Sequence, residues 1–97
     1  MGDHYKYKYS ITMQSDDLAV VHCLRSLSQF SQKTGNNRIT WGNTKESDWK
    51  RDGEKVTFRF TTPEYRKLFV SEAERLLPSD SWTISAQSDN DPAKPAK

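Results

Sequence analysis

Tyr5-Lys6-Tyr7-Lys8-Tyr9-Ser10-Ile11-Thr12-Met13 alternates without a break. Tyr5, Tyr7, Tyr9, Ile11 and Met13 fall on one side of an extended chain, and Lys6, Lys8, Ser10 and Thr12 fall on the other. That two-residue period belongs to a strand with one packed face and one wet face. A slip of one residue would exchange the two faces, so this stretch decides both how the sheet packs and what it shows to solvent.

Working outward, Ser15 offers a helix N-cap, and Asp16 and Asp17 suit the positive end of a helix dipole. Leu18, Val21, Leu24, Leu27 and Phe30 then recur at helical spacing until Gly35, Asn36 and Asn37 end the run. Arg38-Ile39-Thr40-Trp41 alternates again and predicts a second strand, and Lys55-Val56-Thr57-Phe58-Arg59-Phe60-Thr61, opened by the turn signal Asp52-Gly53, predicts a third. These two are read as an antiparallel hairpin. Thr62-Pro63-Glu64 starts a second helix with Pro63 in its first position, and Tyr65, Leu68, Phe69, Ala73 and Leu76 form its apolar stripe up to Pro78. Trp82-Thr83-Ile84-Ser85 supplies a last strand.

The order strand, helix, strand, strand, helix, strand resembles the ferredoxin-like split βαβ arrangement. The resemblance implies an α+β fold, βαββαβ, in which a four-stranded antiparallel sheet carries two helices on one face and has its first and third strands in the middle. One domain is expected over residues 1–88. Asp89 to Lys97 is polar and proline-containing, and predicts a disordered tail.

With the tyrosine side packed, the open face carries Lys6, Lys8, Ser10, Thr12, Arg38, Thr40, Lys55, Thr57, Arg59, Thr61, Thr83 and Ser85. No acid falls among them. Lysines and arginines amid hydroxyls are the equipment for holding phosphates, and Lys50 and Arg51 would extend the patch. A polar, lysine-bearing face is also what any open sheet needs to stay soluble.

The third strand running into Thr61-Thr62-Pro63-Glu64-Tyr65 is similar to the strand-to-helix junction of RNA-recognition-motif domains, where an apolar-x-Phe ending leads into a helix. Those domains stack bases on aromatics of the open face. Here Lys8, Lys55 and Thr57 stand at the matching positions, so contacts to a nucleic-acid backbone are implied rather than base stacking.

Gly42 to Gly53 exceeds the length of an ordinary hairpin loop and holds Trp49 beside Lys50 and Arg51. An exposed Trp flanked by cations would anchor a protein partner, whereas a Trp folded back would cap the sheet or a helix end. Cys23 lies beside the apolar stripe of the first helix and is read as a small buried side chain. His4 and His22 have no partner at metal-ligand spacing. Asp16 and Asp17, just after the first strand, give a minor alternative, a metal-dependent nuclease, because some ferredoxin-like nucleases, whose layout this resembles, hold a metal on an acid at that strand's end; helix capping accounts for both acids without chemistry. Nucleotide-binding glycine loops, nucleophile elbows and paired-His motifs are missing.

A length of 97 residues suits one domain, and a formal charge of +2 gives no global pull toward nucleic acid, so clustering has to carry any such claim. A lone cysteine precludes an internal disulfide or a cysteine zinc cluster and suits a cytoplasmic protein. No apolar run approaches membrane-spanning length, and the first residues lack a signal peptide's apolar region. The expectation is a non-enzymatic binding module without cofactor or metal. Lys6, Lys8, Arg38, Lys55 and Arg59, with Lys50 and Arg51, engage an anionic partner, nucleic acid first. The alternative is a protein-binding regulator or inhibitor, antitoxin-like or carried by a phage or mobile element, docking through the sheet face or Trp49. Homodimerisation through the sheet is compatible with either.

Overall fold

A computed structural model describes residues 4–33, 37–41 and 46–93. Strand β1 (Tyr9–Gln14) leads into helix α1 (Leu18–Ser31), and a short helix α2 (Glu46–Arg51) precedes β2 (Lys55–Phe60), helix α3 (Pro63–Leu76) and β3 (Thr83–Ser88). Two 3-10 turns, His4–Lys6 and Asn37–Thr40, flank the first half. The sheet is antiparallel in the order β2-β1-β3, with β1 in the centre.

The four-stranded expectation is therefore wrong. The sheet has three strands, no fourth is seen among the described residues, and β2 is at an edge rather than in the middle. The segment expected as the second strand, Arg38–Trp41, falls instead on the 3-10 turn Asn37–Thr40. Tertiary contacts hold the segment instead: Ile39 (8%) and Thr40 (1%) are both buried, and the turn packs against α1 and β2. Ser28 and Thr40 share a buried hydroxyl–hydroxyl hydrogen bond of 3.0 Å, which holds the turn against α1. The Arg25 guanidinium lies 5.2 Å from the Trp41 ring.

Helix starts follow local chemistry. Asp17, not Ser15, is the N-cap of α1, accepting from the Ala19 amide at 2.9 Å, while the Ser15 hydroxyl donates to the Ser81 carbonyl at 2.7 Å. Thr62 caps α3 by accepting from the Tyr65 amide, with Pro63 next as expected. Gly35 and Asn36, expected to end α1, lie outside the described residues; its C-cap is Gln32. On α3, Arg75 grips Glu72 through two hydrogen bonds of 2.8 and 2.9 Å, which hold the Glu72 carboxyl below its ordinary range.

Ile11, Met13, Val21, Leu24, Phe58, Phe60 and Phe69 form the centre of the core, with Phe69 stacked obliquely on Phe58 and Phe60. Trp49 joins them from α2, only 2% exposed, with its indole N–H donating to the Ser15 carbonyl at 2.9 Å. The chain then reverses through Gly53 (φ 75°) and Glu54 (φ 66°), a left-handed pair in which Gly53 avoids a side-chain penalty. The Glu54 amide closes the end of α2 on the Trp49 carbonyl, and the Glu54 carbonyl receives the Ser15 amide. Among the described residues no helix is long and apolar enough to cross a membrane.

Candidate anion-binding face

The side of the sheet opposite the core is built from Ser10, Thr12 and Gln14 of β1 and Lys55, Thr57 and Arg59 of β2. The register pairs Ser10 with Arg59, Thr12 with Thr57 and Gln14 with Lys55. On β3 it is continued by Thr83, Ala86 and Ser88, opposite Gln14, Thr12 and Ser10. A 2.8 Å hydrogen bond joins the Thr12 and Thr57 hydroxyls across the strands. The side expected to pack inward does so in part: Tyr7, Ile11 and Met13 are at most 1% exposed and Tyr9 is half-buried, but Tyr5 is 64% exposed, the strand starts only at Tyr9, and Ser10 on the other side is itself 3% exposed.

The expected cations are not gathered into one patch. Arg59 sits at the Ser10 level, and Lys8, half-buried, lies just before β1 at the same end of the face. Lys55 is at the opposite end, beside Gln14. Five residues of strand from Gln14 to Tyr9 amount to roughly 17 Å, so Lys55 cannot share a small ligand with Lys8. Lys6 is exposed in the first 3-10 turn, its amine 5.9 Å from the Tyr5 ring. Arg38 belongs to the second 3-10 turn rather than to the sheet, and its side chain lies outside the described residues. Lys50 and Arg51 are on α2, each beside an acid, Glu54 at 3.7 Å and Asp52 at 3.5 Å.

An acid also enters the face from a segment the sequence marked as tail. The Asp91 amide donates to the Lys8 carbonyl at 2.9 Å and the Ala93 amide to the Tyr7 carbonyl at 3.1 Å, so residues beyond β3 run on along the start of β1. The Asn90 amide bonds the Ser88 hydroxyl and bends the chain, sending Asp89 to one arginine and Asp91 to another. Arg59 donates through Nε to the Asp91 carbonyl at 2.9 Å and through Nη2 to its carboxylate at 3.1 Å. Arg66 of α3 pairs with Asp89 at 2.8 Å. Sequence reasoning missed Arg66, Asp89 and Asp91. The available signal was Asp89-Asn90-Asp91 following directly on a strand whose edge could be extended. Lys94 to Lys97 lie outside the described residues.

Other candidates resolve simply. Trp49 is a core side chain, so it is not the exposed protein anchor that its cationic neighbours suggested. Cys23 is exposed, not buried, and with His22 it borders an apolar groove against Leu27, Leu76 and Leu77. Asp17 is used as a helix cap, and among the described residues no three His, Cys, Asp or Glu side chains are grouped to hold a metal ion.

No family model, curated protein or solved structure matches the chain.

Proposed function

We propose that this protein is a non-enzymatic binding module whose open sheet face engages an anionic partner, with the backbone of a nucleic acid as the chemistry that fits best. The observation carrying this reading is the Lys8–Arg59 corner, where a carboxylate, that of Asp91, already lies against Arg59, with the Thr12–Thr57 hydroxyl pair next along the same face. A phosphate oxygen offers the same acceptor chemistry as that carboxylate. Both members of the ion pair are partly exposed, at 29% and 44%, so it is worth about 1 kcal/mol at most and yields to a better anion. Lys55, far down the same face, gives an extended polyanion a second contact that a small ion could not use. Among the described residues this face carries no aromatic ring for stacking, so recognition runs through backbone charge rather than base identity.

Asp91 is then an internal competitor. Asp91→Asn is expected to tighten binding of a single-stranded oligonucleotide by about threefold to tenfold, in keeping with the small worth of an exposed ion pair. Lys8→Glu combined with Arg59→Gln is expected to abolish binding, and wild-type affinity should fall with salt with a log–log slope of roughly 0.7 per phosphate contacted. Fluorescence anisotropy across a salt series measures all three. Affinity that ignores salt, or an Asp91→Asn variant no tighter than wild type, would remove the reading.

A further inference from the structure

We infer that the outer edge of β3 is a self-association site, on which a second copy of the chain pairs its own β3 antiparallel to make one continuous six-stranded sheet. Among the described residues β3 pairs with one strand, β1, and no strand lies on its outer side; the Ser88 carbonyl at its end accepts from Arg66 of α3. The other edge strand, β2, is by contrast flanked by α2 and the Asn37–Thr40 turn. Edge strands are ordinarily protected by charges, proline or cover. Thr83-Ile84-Ser85-Ala86-Gln87-Ser88 has no charge and no proline, and all but its last residue are exposed.

The helix side of this edge is unfinished as well. A register shift in the β1–β3 pairing brings both Ile84 and Gln87 opposite buried residues of β1, Met13 and Ile11, and so to the core side. Ile84 is nevertheless 42% exposed, at the floor of a groove of about 410 Å³ whose wall is the outer stripe of α3, including Pro63, Lys67, Val70 and Glu74. A neighbouring strand laid on the edge would place its own core-side residues in that groove.

Charge complementarity selects a second copy as the occupant. A two-fold axis normal to the sheet relates the two α3 helices antiparallel on the same side of the joined sheet. Lys67 and Glu74 lie two turns apart on the groove stripe, about 10 Å by helix rise, with Val70 and Ser71 between them. With the axis passing at the level of Val70 and Ser71, Lys67 of each copy faces Glu74 of the other across the groove. α3 packs on both its own β1 and β2, which sets the two helices about 14–19 Å apart, three to four strand spacings, so the pairs form with the lysine and glutamate fully extended toward each other. The inference does not depend on what the open face binds.

Sedimentation equilibrium of the full chain tests it, with wild type expected to be a dimer at micromolar concentration. Ile84→Lys with Gln87→Lys puts charges on exposed positions, so the fold should survive and the chain should be monomeric. Lys67→Glu and Glu74→Lys should each raise the dimer dissociation constant about tenfold, since each change spoils two symmetry-related pairs. The Lys67→Glu/Glu74→Lys double variant should restore it. A monomeric wild type overturns the proposal, as does a dimer indifferent to the Ile84 and Gln87 changes. Failure of the double variant to recover also overturns it, and so does a monomer that captures an unrelated extended peptide on this edge, which would make the occupant a foreign strand.

Discussion

Trp49→Ala should lower folding stability by about 3–5 kcal/mol, the usual cost of emptying a large aromatic site in a core. A domain of this size is stabilised by roughly 5–15 kcal/mol, so the variant would sit close to unfolding. Two contributions add up. The indole is 2% exposed within the core cluster, and its N–H is the buried donor to the Ser15 carbonyl at the turn between β1 and α1. Trp49→Phe keeps most of the apolar volume and loses the hydrogen bond, and is expected to cost about 1–2 kcal/mol. Urea unfolding reads both as shifts in midpoint at unchanged slope. A docking anchor would behave in the opposite way, losing a partner at unchanged stability, and a loss below about 1 kcal/mol for Trp49→Ala would return the residue to the surface.

The same residue shows where sequence reading reached its limit. Lys50 and Arg51 beside Trp49 look like an exposed cationic loop, but α2 is only six residues long, and it turns its single large side chain into the core while its cations stay in water. Nothing local distinguishes that arrangement from an outward Trp, because the deciding partner is a carbonyl 34 residues earlier. The first strand was legible for the converse reason: its pattern is enforced by period alone, and Tyr7, Ile11 and Met13 are buried accordingly. Tyr5, on the same side by count, is 64% exposed because the chain enters a 3-10 turn before it. The start of α3 was equally readable from Thr62 and Pro63.

Arg38–Trp41 failed because four residues of alternation are too few to outweigh tertiary contacts; Ile39 and Thr40 both find buried places against neighbouring elements and give up the strand. The cationic face was half legible. Lys8, Lys55 and Arg59 follow from the register, yet the carboxylate on Arg59 comes from a polar segment in which no periodicity announced a docked chain. Phe30 belonged to the expected apolar stripe of α1 and Cys23 lay beside it, yet both are exposed, Phe30 at 55% with the Lys33 amine 3.9 Å from its ring centre.

Arg66→Met is expected to be the second severe change, costing about 2–3 kcal/mol although it keeps most of the side-chain volume. From the second turn of α3 the guanidinium donates to the Ser10 carbonyl at 3.2 Å and the Ser88 carbonyl at 2.9 Å, and it pairs with Asp89 at 2.8 Å. One side chain thus ties α3 to β1, β3 and the segment beyond. Its own side chain is 14% exposed, whereas Asp89 is 72% exposed, so the ion pair is the lesser part and the two carbonyls the greater. Asp89→Asn should therefore cost less than about 1 kcal/mol, and Arg66→Lys, without the planar fork that spans three acceptors, should recover only part of the loss. Amide exchange supplies the structural readout: Asp91 and Ala93, hydrogen-bonded to Lys8 and Tyr7, should lose protection in Arg66→Met well before β1 and β2 do. Equal losses for Asp89→Asn and Arg66→Met would mean that the carboxylate rather than the carbonyls holds the joint. Because that joint also delivers Asp91 to Arg59, loosening it should release the open face and tighten oligonucleotide binding in the same direction as Asp91→Asn.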